Sequence, residues 1–263
     1  MNVSVVIRAR NEAESIGHTI DLLQRQTIGS ELIVVDSGST DATVEIARLR
    51  GAQVIEIPAA TFTFGGSLNT GTEAASAPIV VALSAHAFPK HDRWLEAMAG
   101  AFDEPKVACA VGGEHHPDGG QIDGRLEQDA ELARHHPWSG YSNAAGGFRR
   151  DLWEQYPFRT DMPGTEDKEW AWHWLQQGYI CVIAPELKVE HDHTKDPLRD
   201  TWSRARREWI GYGMYMDLEP YPARAAFRDF RDAARQYRHP LNIAREAVRV
   251  GGEWSVRHKG GRR

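Results

Sequence analysis

The sequence predicts an α/β fold: an open, twisted, mostly parallel sheet flanked by helices, followed by a helical C-terminal extension. Three observations predict it. Short β-branched runs alternate with segments of helical periodicity through the first half, the runs are apolar at consecutive positions rather than at every second residue, with Ser4 and Glu56 as the polar exceptions, and the charge changes sign near residue 193. An uninterrupted apolar run marks a strand covered on both faces, and strands joined by helices run parallel.

Residues 3–7 form the first strand, and Asn11 is placed to cap a helix in which Ile16, Ile20 and Leu23 recur at helical spacing. A strand at 32–35 follows, then the turn Ser37-Gly38-Ser39, a helix capped by Thr40 or Asp41 that runs to Leu49, and a third strand at 54–57. The next unit has a helix near 67–75, a strand at 79–83 and a helix around 94–102. Ligands of open parallel sheets sit beyond the C-terminal strand ends, so segments 8–12, 36–41 and 84–86 are the expected pocket. The second half is less regular. It predicts a strand at 107–113, a Gly- and His-rich loop to Gln121, a helix at 123–135, a substrate-facing loop at 138–147, a helix at 166–177 ending at Gly178, and strands at 180–183 and 187–190.

A chain of 263 residues with 41% hydrophobic and 26% charged residues falls in the globular range, which excludes disordered and fibrous classes. No apolar stretch approaches the roughly 20 residues of a membrane span, and no basic segment with a long apolar leader opens the chain, so a cytoplasmic setting is expected. Cys109 and Cys181 lie in apolar strand segments and read as buried small hydrophobes. Residues 1–193 carry 15 Lys or Arg against 28 Asp or Glu, a net of −13, while residues 194–263 carry 16 against 9, a net of +7. An acidic body therefore precedes a basic extension suited to an anionic surface; no nucleic-acid partner is expected.

The turn after the first strand, Arg8-Ala9-Arg10-Asn11-Glu12, is not glycine-rich, and no phosphate-binding loop ending in Gly-Lys-Ser occurs. A nucleotide bound here is held by side chains and strand-end amides. Glu12, Asp36 and Asp41 are placed to accept hydrogen bonds from ribose hydroxyls or a base N–H, although Glu12 also suits a helix first turn and Asp41 a helix cap.

In combination these segments are more specific. Val3-Ser4-Val5-Val6-Ile7-Arg8-Ala9-Arg10-Asn11-Glu12 and Leu32-Ile33-Val34-Val35-Asp36-Ser37-Gly38-Ser39-Thr40-Asp41 are followed in order by Phe64-Gly65-Gly66-Ser67-Leu68-Asn69, Ala145-Gly146-Gly147-Phe148 and Thr165-Glu166-Asp167. Over residues 3–193 the chain resembles the family 2 glycosyltransferases of the GT-A fold. The resemblance implies a catalytic domain at 1–193, with a nucleotide-sugar half at 1–113 and an acceptor half at 114–193, and the charge split leaves a basic helical extension at 194–263. It implies transfer of a sugar from a dTDP-, UDP- or GDP-sugar to an acceptor hydroxyl with inversion. Ala9, Arg10, Glu12, Asp36, Asp41, Ser84 and His86 are then the donor-binding set, and Gly146, Gly147, Glu166 and Trp170 the acceptor-binding set. An attacking hydroxyl must lose its proton to a base. Asp167 matches the family's base, Glu166 would orient the acceptor, and Trp170 or Trp174 would stack on a sugar face or fill core.

The chain departs from the family at the metal. Most relatives end the fourth strand in Asp-x-Asp, which holds Mg²⁺ or Mn²⁺ against the donor diphosphate, whereas here the strand runs into Ser84-Ala85-His86. Either His86 joins as a nitrogen ligand with His191, or His193 in its place, or the leaving group is neutralised partly without metal. His115-His116 and His135-His136 lack ligand spacing and read as surface residues. Asp36-Ser37, where many uridine-diphosphate enzymes carry two acids, and Gly66, where a basic residue is common, leave uracil recognition less assured. Asp-Ser-Gly-Ser and Ser-x-His resemble the branch that includes rhamnosyltransferases with a thymidine diphosphate donor. Two alternatives stand beside this reading: a sugar-phosphate nucleotidyltransferase, whose glycine- and Arg-rich first loop is not found after residue 7, and a catalytically silent sugar-nucleotide or membrane-binding protein.

In the extension, Leu198, Trp202, Ala205, Trp209, Tyr212 and Met216 fall within about 80° on a helix, a stripe expected to pack on the catalytic core. A second helix at 224–238 places Phe227, Phe230, Ala234 and Tyr237 on one face and Arg224, Arg228, Arg231, Arg235 and Arg238 on the adjoining sector. Such a helix suits an anionic membrane at its inner face, where a lipid-linked acceptor would be met; the alternative is a solvated surface helix. Residues 251–263 are expected to be mobile.

Overall fold

Along the first strand Val3, Val5 and Ile7 join one apolar cluster and Val6 the other, and all are buried, so the sheet is covered on both sides. This alternation is read from the computed structural model, which describes residues 3–191, 197–236 and 239–258. His193, Tyr237 and Arg238 lie outside the described residues. The strands are β1 (Val3–Ala9), β2 (Glu31–Asp36), β3 (Gln53–Glu56), β4 (Ile79–Ser84), β5 (Phe88–Pro89), β6 (Val107–Gly112), β7 (Leu126–Gln128), β8 (Ala145–Arg149), β9 (Ile180–Ala184) and β10 (Val189–Glu190). Among the described residues eight of them form one sheet in the order β3-β2-β1-β4-β8-β6-β9-β7, and β5 pairs with β10 apart from it. The run β3-β2-β1-β4 is parallel. β8 is antiparallel to both its neighbours, β6 and β9 are parallel, and β7 closes the far edge antiparallel.

Helices cover both faces. α1 (Ile16–Gln24), α2 (Thr43–Leu49) and α4 (Trp94–Gly100) send Ile16, Ile20, Leu23, Ala47, Trp94 and Met98 into one cluster. α3 (Phe64–Ala74), α5 (Ala130–His135), α6 (Arg150–Gln155) and α7 (Glu166–Leu175) supply Leu68, Ala133, Trp153, Trp170 and Trp174 to the other. Thr63 caps α3 by accepting from the Gly66 N–H at 2.9 Å. Cys109 and Cys181 are unbridged, buried and in register across β6 and β9.

Several expectations are corrected here. Asn11 does not cap α1; it sits at φ +54° ahead of the helix, whose cap position is Ser15. Residues 123–135 are not one helix: Leu126–Gln128 is the edge strand β7, and α5 begins only after Asp129, whose carboxylate accepts from the Leu132 N–H at 2.9 Å. Gly146 and Gly147 belong to the central strand β8 rather than to a loop. A Cβ at Gly147 would stand 2.8 Å from Met98 Sδ, and one at Gly146 2.6 Å from the Ser142 carbonyl oxygen, so these glycines serve sheet packing.

The chain divides into two compact units, one of residues 1–161 and 166–191 and one of residues 162–165 and 192–263. The second contains α8 (Leu198–Tyr212), α9 (Ala223–Gln236) and α10 (Pro240–Arg257). The stripe on α8 meets α10 of the same unit, where Gly251 and Gly252 allow close approach: a Cβ there would lie 2.6 Å from the Trp202 ring and 3.0 Å from Ala205. Residues 251–257, expected to be mobile, are therefore the packed end of a helix. Its Glu253 pairs with Arg257, whose guanidinium lies 4.3 Å from the Trp209 ring centre.

Candidate active site

Parallel pairing aligns the ends of three neighbouring strands. Ala9 stands opposite Asp36, and Arg8 opposite both Val35 and Ser84, so the segments after β1, β2 and β4 open on one edge. Small polar groups lace the first two loops together. The Ser37 N–H donates to the Ala9 carbonyl at 3.0 Å, the Asn11 N–H to Ser39 Oγ at 2.8 Å, and the Thr40 N–H back to Asn11 Oδ1 at 2.8 Å. Thr43 Oγ1 accepts from the Glu12 N–H at 2.7 Å and donates to Asp41, whose other oxygen accepts from the Ala13 N–H at 3.1 Å. Asp36 is 1% exposed, and its oxygens accept from the Gly38 and Ser39 N–H groups and the Ser39 hydroxyl. As arranged, Asp36 and Asp41 shape their own turns instead of offering a free carboxylate edge. Arg10 is exposed, and Glu12, Ser84 and His86 are half-buried at the same edge.

Glu12 joins this edge to β4. Its Oε1 lies 3.0 Å from His86 Nδ1 and its Oε2 accepts from Ser15 Oγ at 2.7 Å. Burial opposes ionisation of Glu12, but the His86 and Ser15 hydrogen bonds outweigh it and hold its carboxyl below the usual range. His86 stacks on His191 with ring centres 4.9 Å apart and planes 23° apart, so the two histidines come together at the end of β4. They do not fit a hard divalent cation as arranged: near-parallel rings do not aim two nitrogens at one point, and the adjacent carboxylate is taken by His86 and Ser15. Among the described residues no group of three or more His, Cys, Asp or Glu side chains is placed to hold a metal ion.

Across the edge lies the start of α7. Glu166 is 3% exposed; its Oε1 accepts from Asn143 Nδ2 at 3.2 Å and lies 3.4 Å from Arg8 Nη1. Asp167 Oδ2 accepts from the Asn143 N–H at 3.1 Å and Oδ1 from the Lys168 N–H at 2.8 Å. Tyr141 Oη donates to Asn143 Oδ1 at 2.7 Å, and Lys168 Nζ donates to the Ser139 and Gly140 carbonyls at 3.0 Å, so the 139–143 loop is stapled to the carboxylate pair. Burial, and then the charge of Asp167, push the Glu166 carboxyl upward against the pull of Arg8. Thr165, just before the pair, holds φ +65°, a left-handed conformation that β-branched residues rarely adopt.

Trp170 is not at the acceptor. It is fully buried among Tyr141, Phe148 and Phe158, with its indole N–H donating to the Tyr156 carbonyl. The exposed indole of this half is Trp138, 53% accessible, one residue before the stapled loop. Sequence reasoning missed Arg8 as a partner of Glu166, although a guanidinium inside a β-branched strand is itself a signal, and it missed Asn143 and Tyr141, for which no signal existed.

An open α/β sheet whose parallel strand ends face a carboxylate pair at a helix start, one member buried and the other half-buried, is the architecture of a GT-A glycosyltransferase. The model of the family described as glycosyl transferase family 2 matches residues 4–164, and the chain belongs to that family. It is 25% identical over 223 residues to an O-antigen chain rhamnosyltransferase, RfbN, of Salmonella typhimurium, an alignment covering 75% of this chain and 68% of that one. Its fold matches a mannosyltransferase, PcManGT, from Pyrobaculum calidifontis, solved with GDP-Man and Mn²⁺, at a TM-score of 0.65 and 19% identity, over 97% of this chain and 70% of that one. It also matches the glucosyl-3-phosphoglycerate synthase of Mycobacterium tuberculosis, solved with Mn²⁺, UDP and glucosyl-3-phosphoglycerate, at a TM-score of 0.60 and 20% identity, over 81% and 77% of the two chains. The protein is thus a glycosyltransferase, and the nucleotidyltransferase alternative falls away.

Proposed function

We propose that the enzyme moves a deoxyhexosyl or hexosyl group from a nucleoside-diphosphate sugar to an acceptor hydroxyl with inversion, Asp167 taking the acceptor proton. The observation that carries this reading is the placement of Asp167, held by two backbone N–H groups beside a glutamate that bonds to the donor strand through Arg8. Those amides fix the carboxylate while leaving it lone pairs for an incoming hydroxyl, and the ring of ties through Asn143 sets its direction. Arg10, Glu12, Ser84 and His86 line the donor edge, with the imidazole pair facing the departing diphosphate. The likeness to a rhamnosyltransferase, together with Asp36-Ser37 in place of two acids, favours a deoxysugar on a thymidine diphosphate carrier.

Asp167→Asn tests it. The amide keeps the shape but cannot accept the proton, so kcat should fall by about 10² or more while donor binding by calorimetry stays within about twofold. Turnover comparable to the parent at saturating acceptor would remove Asp167 from the mechanism.

A further inference from the structure

The second unit presents a charged face apart from the residues assigned above to sugar transfer. At 100° per residue, Arg224, Arg228, Arg231 and Arg235 of α9 fall within about 60° of one another, and all four are exposed. The opposite side of the helix carries Ala226, Phe230 and Ala233, which are buried or half-buried, and α9 packs on α10 within the unit. Phe227 stays outside. It is 67% exposed at the margin of the arginine stripe. The helix is fixed at its start, where Tyr221 donates its hydroxyl to Asp229 at 2.7 Å and its N–H to the Arg257 carbonyl at 3.2 Å. Two acids dilute the stripe: Asp229 lies 3.0 Å from Arg228, and Asp232 lies 2.9 Å from Arg231 and 3.8 Å from Arg235. These pairs are solvent-facing and therefore weak enough to exchange for another anion.

We propose that this face of α9 docks on an anionic phospholipid surface, its arginines taking lipid phosphates and Phe227 entering the headgroup boundary. Guanidinium groups bind phosphate oxygens in pairs, and a basic stripe is drawn to a negatively charged leaflet. An aromatic ring beside such a stripe settles at the membrane interface. Phe227 decides between a bilayer and a dissolved polyanion, because only the bilayer has an apolar layer to cover the ring. No described helix is long and apolar enough to cross a membrane.

Sedimentation of the full chain with phosphatidylcholine vesicles, with and without phosphatidylglycerol, tests the proposal. The chain binds only the anionic vesicles, at low ionic strength, and is released as salt screens the attraction. Replacing Arg228, Arg231 and Arg235 together by Gln weakens partition by about a hundredfold, and Phe227→Ser weakens it by about tenfold. Asp232→Asn acts in the opposite direction and tightens it. Thermal melts check that these surface variants stay folded, and their transfer to a water-soluble acceptor matches the parent, which keeps this test separate from that of Asp167. Failure to bind anionic vesicles at low salt, equal binding to neutral vesicles, or an unaffected triple variant overturns the proposal. So does binding to heparin in solution that is as tight as to vesicles, with both insensitive to Phe227→Ser, since the partner is then a soluble polyanion.

Discussion

Where the loops after β1 and β2 meet, hydroxyls, amides and short carboxylates tie one loop to the next through backbone N–H groups, whereas the start of α7 rests on the buried Glu166 beside a half-buried Asp167, governed by Arg8 and Asn143. The first arrangement spreads its stabilisation over many small bonds near water, each worth about 1 kcal/mol. The second concentrates it, because a buried carboxylate without its donor carries the full cost of desolvation. Robustness therefore belongs to the loops after β1 and β2 and sensitivity to the start of α7.

The largest effect is expected at Asn143. Asn143→Ala removes the amide donor to Glu166 and strands the buried Tyr141 hydroxyl, so unfolding in urea should show a loss of about 2–4 kcal/mol, with the Asn143 N–H to Asp167 retained. A cost no greater than that of a substitution in the loops after β1 and β2 would break the contrast. Glu166→Gln sharpens it through pH. The folded state raises the Glu166 pKa through burial and the Asp167 charge. The stability that this residue's protonated form contributes is therefore fully present below its unfolded value near 4.5 and is lost as pH climbs through the raised folded value. Gln does not titrate, so the melting temperature of the variant minus that of the parent should increase with pH across that window. A difference that is flat with pH would mean that Arg8 fully compensates the carboxylate.

The smallest effect is expected in the loops after β1 and β2. Asn11→Gly keeps the left-handed backbone and loses the bonds that Asn11 Oδ1 accepts from the Thr40 N–H and hydroxyl, while Asn11→Ala adds backbone strain. Chemical denaturation should give a loss of about 1 kcal/mol for Gly and about 1 kcal/mol more for Ala. Equal losses would show that the side-chain bond, and not the conformation at φ +54°, fixes the loop.

The same contrast explains what could be read from residues alone. β1, β2, β4, α3 and α7 declare themselves through continuous apolar runs and helical spacing, and the loops after the strands follow from the parallel order. β7 and β8 do not: a three-residue edge strand has too little pattern to separate from the helix behind it, and Ala145-Gly146-Gly147 reads as a loop because glycine's reason for being there, Met98 and Ser142, lies elsewhere in the chain. The meeting of Glu12 with His86 at one strand-end edge, and the helix start at Glu166 and Asp167, were legible through their motif segments. Arg8 and Glu166 are 158 positions apart, and Trp170 was misplaced because an aromatic on a helix looks the same whether it faces a sugar or Phe148.

The two ends of the sheet carry a consequence for life in a concentrated solution. An edge strand offers unpaired N–H and C=O groups to any other extended chain. Here β3 ends in Glu56, paired with Arg48 at 2.5 Å, and β7 carries Glu127 between Lys106 at 3.2 Å and Arg125 at 3.0 Å. A second sheet approaching either margin would have to strip water from these ions before forming its first bond, so both margins resist strand addition while the eight-stranded interior stays continuous.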